Sequence, residues 1–280
     1  MRILVCGGDE RFVHLMKLLC EDGHEVLSYA AEKAELPQGV QRVSEVTAAD
    51  ITLLPIPAES GSFGALNAPF ALKQQSASAL VSALPKNTVL IGGRLTPSIK
   101  ARADGISEMY DIMHRPEFVV GNAVITAEAA VNLLMNASEK AVCDMKVLVI
   151  GWGRIGKLVS KKLHALGADT VVLSQNPEAR ALAQAVGHTT CGKLPIEQRQ
   201  GFDAVINTAP AQVLDSLEGF RASCMMLELA SAPGGINMAE AQLRGLNYTA
   251  APGLPGRYAP ESAARLIHST LQSIIKEREK

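Results

Sequence analysis

Lys146-Val-Leu-Val-Ile-Gly-Trp-Gly-Arg-Ile-Gly156 is the stretch that decides the fold of this chain. Its aliphatic run has no polar alternation, which is the pattern of a strand covered on both faces. The run stops in Gly151-Trp-Gly-Arg-Ile-Gly156, and helix-like sequence follows to about Leu166. In a strand–turn–helix of this kind each glycine has its own task. Gly151 takes the tight turn, Gly153 lets backbone approach a pyrophosphate, and Gly156 lets the helix pack on the strand. The first N–H groups of the helix then face an anion. Gly151, Trp152, Gly153, Arg154, Ile155 and Gly156 are therefore the expected cradle of a dinucleotide.

Outward from this turn, the next strand is Thr170-Val-Val-Leu173, and its tip bears on the choice of cofactor. An NAD site usually carries Asp or Glu there for the ribose hydroxyls. Here the chain reads Ser174-Gln-Asn-Pro-Glu178, with no acid at the tip. A carboxylate would repel a 2′-phosphate, so its absence favours NADP, with NAD still open. Ser174, Gln175 and Asn176 are the expected donors. No cation stands at the tip itself, and Arg180 lies further on, in a helix. The strand Asp203-Ala-Val-Ile-Asn-Thr208 leads into Thr208, Ala209 and Pro210, which suit a wall along the cofactor ribose. Cys224-Met-Met-Leu-Glu-Leu229 reads as another strand. Two small-residue loops follow, Ala230-Ser-Ala-Pro-Gly-Gly235 and Ala251-Pro-Gly-Leu-Pro-Gly256, where backbone can come close to a ligand.

The first half repeats the grammar. Arg2-Ile-Leu-Val-Cys-Gly-Gly8 precedes helix-like sequence over 11–21 and a strand from Glu25, with further strands in Ile51-Thr-Leu-Leu-Pro-Ile56 and Thr88-Val-Leu-Ile-Gly-Gly93. Residues 59–67 read as a loop. The expected fold is α/β: two doubly wound Rossmann-like domains with parallel sheets, linked by helices. Residues 1–121 form the first domain and 122–144 a linking helix, strongest over 126–140. Residues 145–255 form the dinucleotide domain, and 256–280 a C-terminal helix opened by Pro260 and free to pack back on the first domain. Gly7-Gly8-Asp9 lacks the third glycine, so the first domain is read as the substrate and catalytic half. Arg94, Arg115 and Arg257, each beside a strand end or small-residue loop, are the natural bidentate partners for a carboxylate. His114 is a candidate acid or base.

Composition narrows the class. The 280 residues suit two domains, 48% are hydrophobic and only 4% aromatic, so the cores rest on Val, Ile, Leu and Ala. A formal net charge of -1 gives no field to gather nucleic acid or an anionic membrane. Five scattered cysteines without a C-x-x-C pair point to free thiols in a reducing compartment and to no metal site. No signal peptide is evident, and no uninterrupted apolar stretch approaches the ~18 residues of a membrane span. The expected location is the cytoplasm.

Longer stretches carry a resemblance. Val149-Ile-Gly-Trp-Gly-Arg-Ile-Gly156, Ile206-Asn-Thr-Ala-Pro210, Leu227-Glu-Leu-Ala-Ser-Ala-Pro-Gly-Gly235 and Ala251-Pro-Gly-Leu-Pro-Gly-Arg-Tyr-Ala-Pro260 together resemble the dipicolinate synthase A-subunit family of spore-forming bacteria. Asn122-Ala-Val-Ile-Thr-Ala-Glu128 is similar to the family's segment entering the linking helix. The resemblance implies NADP-dependent oxidation of dihydrodipicolinate to pyridine-2,6-dicarboxylate for sporulation, with the separate B-subunit of dipicolinate synthase as partner. It makes Glu128, Arg115, His114 and Arg94 the acid/base and orienting candidates. Ser60, Arg94, Asn122, Thr126, Ser231 and Arg257 become the candidates for holding a small dicarboxylate. Two other readings stay open at this point: a 2-hydroxy-acid dehydrogenase-like oxidoreductase and a non-enzymatic nucleotide-sensing module. A homo-oligomer is also left open.

Overall fold

Strands that are apolar on both faces must be covered on both, and this chain meets that demand twice. The computed structural model describes residues 1–61, 64–231 and 234–279. The chain divides into two units, Met1–Asn122 with Gly256–Lys280, and Ala123–Pro255.

The first unit contains β1 (Arg2–Cys6), α1 (Glu10–Glu21), β2 (Glu25–Tyr29), β3 (Val40–Arg42), β4 (Ile51–Leu53), a small hairpin of β5 (Glu59–Ser60) and β6 (Ala65–Leu66), α2 (Ala77–Ala83), β7 (Val89–Gly92), α3 (Pro97–Lys100) and β8 (Glu108–Asp111). Its six-stranded sheet has the order β3-β2-β1-β4-β7-β8, and every pair is parallel. α4 (Pro116–Ala137) follows, and the division between the units falls within it. The second unit continues with β9 (Lys146–Ile150), α5 (Arg154–Ala165), β10 (Asp169–Leu173), α6 (Pro177–Ala185), β11 (Thr189–Cys191), α7 (Ile196–Arg199), β12 (Ala204–Asn207), β13 (Met225–Glu228), α8 (Met238–Leu243) and β14 (Asn247–Ala250). Its sheet is parallel throughout in the order β11-β10-β9-β12-β13-β14. The chain closes with α9 (Leu254–Tyr258) and α10 (Pro260–Arg278).

The fold class read from the sequence is the one observed. Each sheet starts in its middle, runs outward to one edge, then returns across its first strand. That reversal makes a switch point beside β1 in one sheet and beside β9 in the other. The central strands are the apolar runs of the sequence: residues 147–150 are all fully buried at 0% exposure. The edge strands β3, β8, β11 and β14 were not apparent in the sequence. Each has one neighbour only, so Gln41, Arg42, Glu108, Thr189 and Asn247 lie exposed and no apolar run marks them.

The helix expected over 126–140 begins ten residues earlier, at Pro116, and stops at Ala137. Proline suits a first turn because its missing N–H would have no partner there. Gly121 lies inside this helix because a Cβ there would stand 2.6 Å from Leu266 Cδ1, so the glycine lets α10 come close. α4 is 22 residues long and is the one described helix with the length and mean hydropathy (1.6) to cross a membrane. Phe118, Ala123, Ala127, Ala130 and Leu134 are nevertheless buried within the protein, and Glu117 and Glu128 interrupt the run. These are the features of a core helix.

In the first unit α10 packs on α1: Ala264, Ile267, Leu271 and Ile274 share a core with Leu15, Met16 and Leu19. Two ion pairs and a histidine–aspartate hydrogen bond fasten its polar side. Arg115 holds Glu277 through two bonds of 2.7 and 2.6 Å, Arg278 reaches Glu108 at 3.0 Å, and His268 meets Asp22 at 2.7 Å.

In the second unit Asp203 ties the start of the sheet together. Its carboxylate accepts from the Lys146 N–H at 2.9 Å and pairs with Lys140 at 2.8 Å and Arg221 at 3.1 Å. Partial burial opposes the charge, but these partners outweigh it and hold the Asp203 pKa below its ordinary value. A depressed folded-state pKa gives stability that is fully present above the unfolded value of about 4 and is lost as pH falls through the lower folded value. Asp203→Asn should therefore cost about 1.5–3 kcal/mol at neutral pH. Its stability should also fall less steeply in acid, as urea unfolding at a series of pH values would measure.

Candidate functional site

In open α/β sheets, ligands bind at the carboxyl ends of the strands, beside the switch point. In the second unit that place lies between the ends of β9 and β12, where Gly151 and Thr208 follow the last strand residues. The Thr208 hydroxyl donates to the Ile150 carbonyl at 2.8 Å, so the two strand ends are clamped together. This clamp fixes two of the glycines. Gly151 has φ +97°, and a Cβ there would stand 2.8 Å from the Thr208 hydroxyl. A Cβ on Gly156 would come 2.3 Å from the Gly151 carbonyl oxygen, closer than atoms can approach, so α5 touches the turn backbone itself.

Gly153 differs: a Cβ there would meet nothing within 4 Å. It is the N-cap of α5 and offers no side-chain cap, so the first N–H groups of the helix face an open space. An anion laid along this turn would be held by backbone alone. These residues fit the pyrophosphate of a dinucleotide. Trp152 is set beside the turn by His188, the rings 5.3 Å apart and edge to face. Burial keeps the His188 pKa below its usual value, with His164 as a further cause, so a neutral ring supports the indole.

α1 begins differently. Asp9 caps it, accepting from the Arg11 N–H at 3.1 Å, and the same carboxylate is gripped by the Arg11 side chain at 2.8 Å. The anion position at this helix start is thus filled by the chain's own aspartate. A Cβ on Gly256 would strike this pair, 2.7 Å from the Asp9 carboxylate, which ties the end of the Ala251–Gly256 loop sequence to the carboxyl end of the first sheet.

A buried carboxylate that sequence reasoning had not singled out organises the loops beyond β12 and β13. Glu228 is only 5% exposed. It accepts from the Ala230, Gly235 and Ile236 N–H groups at 2.9 Å each, and from the Asn207 amide at 2.7 Å. Asn207 in turn donates to the Ala209 carbonyl at 2.8 Å and accepts from the Ala209 N–H at 3.2 Å. One Glu–Asn pair therefore fixes the 208–210 turn together with Ala230, Gly235 and Ile236. Gly234 and Gly235 are small because their Cβ atoms would meet Glu228 and Asn207, at 2.9 and 2.6 Å. The signal was present in the sequence: an acid at the end of an apolar strand, followed by a glycine loop whose N–H groups need an acceptor. Ala232 and Pro233 of that loop, and Ser62 and Phe63 of the 59–67 loop, lie outside the described residues.

The sequence shows no cation at the tip of β10 itself, with Arg180 further along in a helix. Arg180 does lie in α6, but its side chain folds back. Its Nη1 donates to the carbonyls of Ser174 and Gln175, at 2.8 and 3.0 Å, and so brings a cation back to the strand tip. Spacing alone had hidden this, because the first turn of a helix folds residue 180 over residue 176. Asn176 is the N-cap of α6 and accepts from the Glu178 and Ala179 N–H groups. A cavity of about 160 Å³ opens beside the tip, with Gln175, Gly192, Lys193 and Leu194 on its wall.

The other expected residues lie as follows. In the first unit Arg94 follows β7 with φ +55°, its N–H donating to Asp111 at 3.0 Å. Ser60 ends β5, and next to it Glu59 accepts from Thr96 and Ser98 at 3.2 Å each. His114 is exposed, while Arg115 is committed to Glu277 and Glu117. Arg257 stands against Tyr258, its guanidinium 5.7 Å from the ring. Asn122 is half-buried on α4. In the second unit Thr126 is buried at 7%, Glu128 pairs with Lys162 at 2.8 Å, and Ser231 is exposed. Arg94, Ser60 and Arg257 thus share the carboxyl side of the first sheet with Asp9 and Glu59. Arg115 instead serves α10.

Comparisons agree with the resemblance found in the sequence. Residues 2–112 match the family model of the dipicolinate synthase A-subunit N-terminal domain. Over 298 aligned residues the chain is 26% identical to the A-subunit of dipicolinate synthase from Bacillus subtilis (strain 168), covering 99% of this chain and 96% of that protein. The crystal structure of the dipicolinate synthase A-subunit from Bacillus halodurans superposes with a TM-score of 0.81 at 23% identity, covering 98% and 97% of the two chains. L-alanine dehydrogenase superposes with a TM-score of 0.67 at 15% identity, covering 100% and 90%. The two structural likenesses concern the fold.

The Glu228 network gives a direct test. Glu228→Gln keeps the volume but turns an N–H2 toward backbone donors, leaving at least one buried N–H without an acceptor. It should cost about 1–3 kcal/mol of stability. Amide exchange at Gly235 and Ile236 should rise by more than the global loss explains.

Proposed function

We propose that this chain, similar along its whole length to the A-subunit of dipicolinate synthase, is an oxidoreductase that aromatises dihydrodipicolinate to dipicolinate with NADP. The observation that carries the proposal is the pair of unlike helix starts. The turn at Gly151, Gly153 and Gly156 offers an uncapped helix to a pyrophosphate, while the matching turn of the first unit is filled by Asp9. One unit is thus fitted to the dinucleotide, and the other is left for the substrate.

Bound nicotinamide would supply the hydride acceptor for a ring carbon of the substrate, the accompanying ring proton leaving to a base. Formation of an aromatic ring provides much of the driving force, so the protein has mainly to orient the ring and take up one proton. Orientation is assigned to Arg94 and Arg257, with Ser60, on the carboxyl side of the first sheet, each arginine suited to a carboxylate. Asn122, Thr126 and Ser231 are assigned supporting contacts to the substrate. Arg115 is the weakest of the three arginines for this task, because Glu277 already engages its guanidinium. Glu128 and His114 are the candidates for the proton. Backbone N–H groups of residues 153–156 would hold the pyrophosphate, and Thr208, Ala209 and Pro210 would flank the ribose. Partnership with the dipicolinate synthase B-subunit and a place in the reducing cytoplasm of a sporulating cell complete the reading.

Three measurements test it. The chain should bind NADPH, and Gly153→Val should abolish binding by placing a side chain in the pyrophosphate's path; undiminished NADPH affinity in calorimetry would remove the assignment. Mixed with dihydrodipicolinate and NADP, the chain should form dipicolinate, faster when the B-subunit is added; no product under either condition would reject the activity. Arg94→Ala or Arg257→Ala should lose about 2–5 kcal/mol in kcat/KM with NADPH affinity unchanged. If both variants keep near-normal kcat/KM, the carboxylate grip lies elsewhere.

A further inference from the structure

The β10 tip holds a feature that neither the glycine turn nor the substrate side uses. Arg180 reaches back from α6 and bonds the Ser174 and Gln175 carbonyls through Nη1. Gly192, at the end of the neighbouring strand β11, makes room for it. A Cβ on Gly192 would stand 3.1 Å from Arg180 Nη1 and 3.2 Å from the guanidinium carbon. Lys193 comes next in the chain, and it lines the same 160 Å³ cavity as Gln175 and Gly192. Two cations therefore flank one strand tip, brought there from α6 and from the loop after β11.

Among the described residues no ion pair involves either side chain. The cavity is small against the ~300–1,000 Å³ of a complete small-molecule site, so it suits part of a ligand rather than a whole one. One wall is apolar, made by Leu194, Val213 and Leu214. Such a wall suits the face of a base, while the Gln175 and Lys193 side is polar and cationic. Arg199 also lines the cavity, but it is buried and all three of its guanidinium nitrogens bond the Leu194, Ser216 and Glu218 carbonyls, whereas among the described residues Arg180 bonds through Nη1 alone. Asp215 is the one carboxylate on the wall among the described residues, and it is exposed.

We infer that Arg180 and Lys193 form the seat of a 2′-phosphate at the β10–β11 tips and set the preference for NADP over NAD. This rests on the nicotinamide reading above. It deepens that reading by naming the cations that the strand-tip sequence lacks. The bonds from Arg180 to two carbonyls hold the guanidinium in a fixed position, so little side-chain freedom remains to be lost when an anion arrives. Lys193 adds an exposed, movable charge. A plain ribose hydroxyl is neutral, so a dinucleotide without the 2′-phosphate gains much less from these cations.

The experiment is a titration of the full chain with NADPH and with NADH by nucleotide fluorescence, for wild type, Lys193→Glu and Arg180→Ala. Lys193 is exposed, so its reversal leaves folding intact and keeps the test valid if Arg180→Ala disturbs the strand tip. Lys193→Glu should weaken NADPH about tenfold or more while NADH changes by no more than about twofold. The NADPH affinity of wild type should also fall more steeply with salt than its NADH affinity. If Lys193→Glu changes both cofactors alike, or neither, the phosphate seat is overturned and the nicotinamide reading stands. If wild type binds neither cofactor, the nicotinamide reading fails and takes this inference with it.

Discussion

The second unit depends on how closely α5 approaches the end of β9. The Gly151 carbonyl occupies the space that any side chain on Gly156 would need, and the Thr208 hydroxyl occupies the space beside Gly151. A helix this close to a strand end directs its unpaired N–H groups at one point rather than spreading them into solvent. Thr208 secures the geometry from the far side of the switch point by bonding the Ile150 carbonyl. The position of the helix start and the anion cradle it offers are therefore consequences of one close contact.

The first unit has the same sheet order but resolves its first turn in the opposite way. Asp9 supplies the negative charge at the start of α1, and Arg11, buried at 5% exposure, neutralises it while also donating to the Ile56 carbonyl at 2.6 Å. Gly256 returns from the other end of the sequence to sit against this pair. The same helix-start physics that leaves an opening in one unit is used in the other to fasten the chain's last segment. The same strand order thus carries two differently finished helix starts, decided by a few side chains at the strand ends.

Burying a carboxylate is unfavourable unless its lone pairs are met, and Glu228 shows the condition satisfied. Three backbone N–H groups and the Asn207 amide surround it. The benefit is structural definition: one residue pair holds the 208–210 turn together with the N–H groups of Ala230, Gly235 and Ile236.

The sequence by itself determined the central strands, the glycine turn and the α/β class. Those features are local: an apolar run needs two covered faces, and a glycine is needed wherever a turn or close approach excludes a Cβ. It also showed the resemblance, because the long small-residue loops are contiguous in the chain. The edge strands, the early start of α4 at Pro116, the commitment of Arg115 to Glu277 and the return of Arg180 to the β10 tip were decided only by tertiary structure. The partner of Arg115 is 162 residues away. Arg180 needed Gly192 to leave room before it could fold back. A long side chain is placed by whatever packs around it, and that packing exists only once distant segments have been brought together.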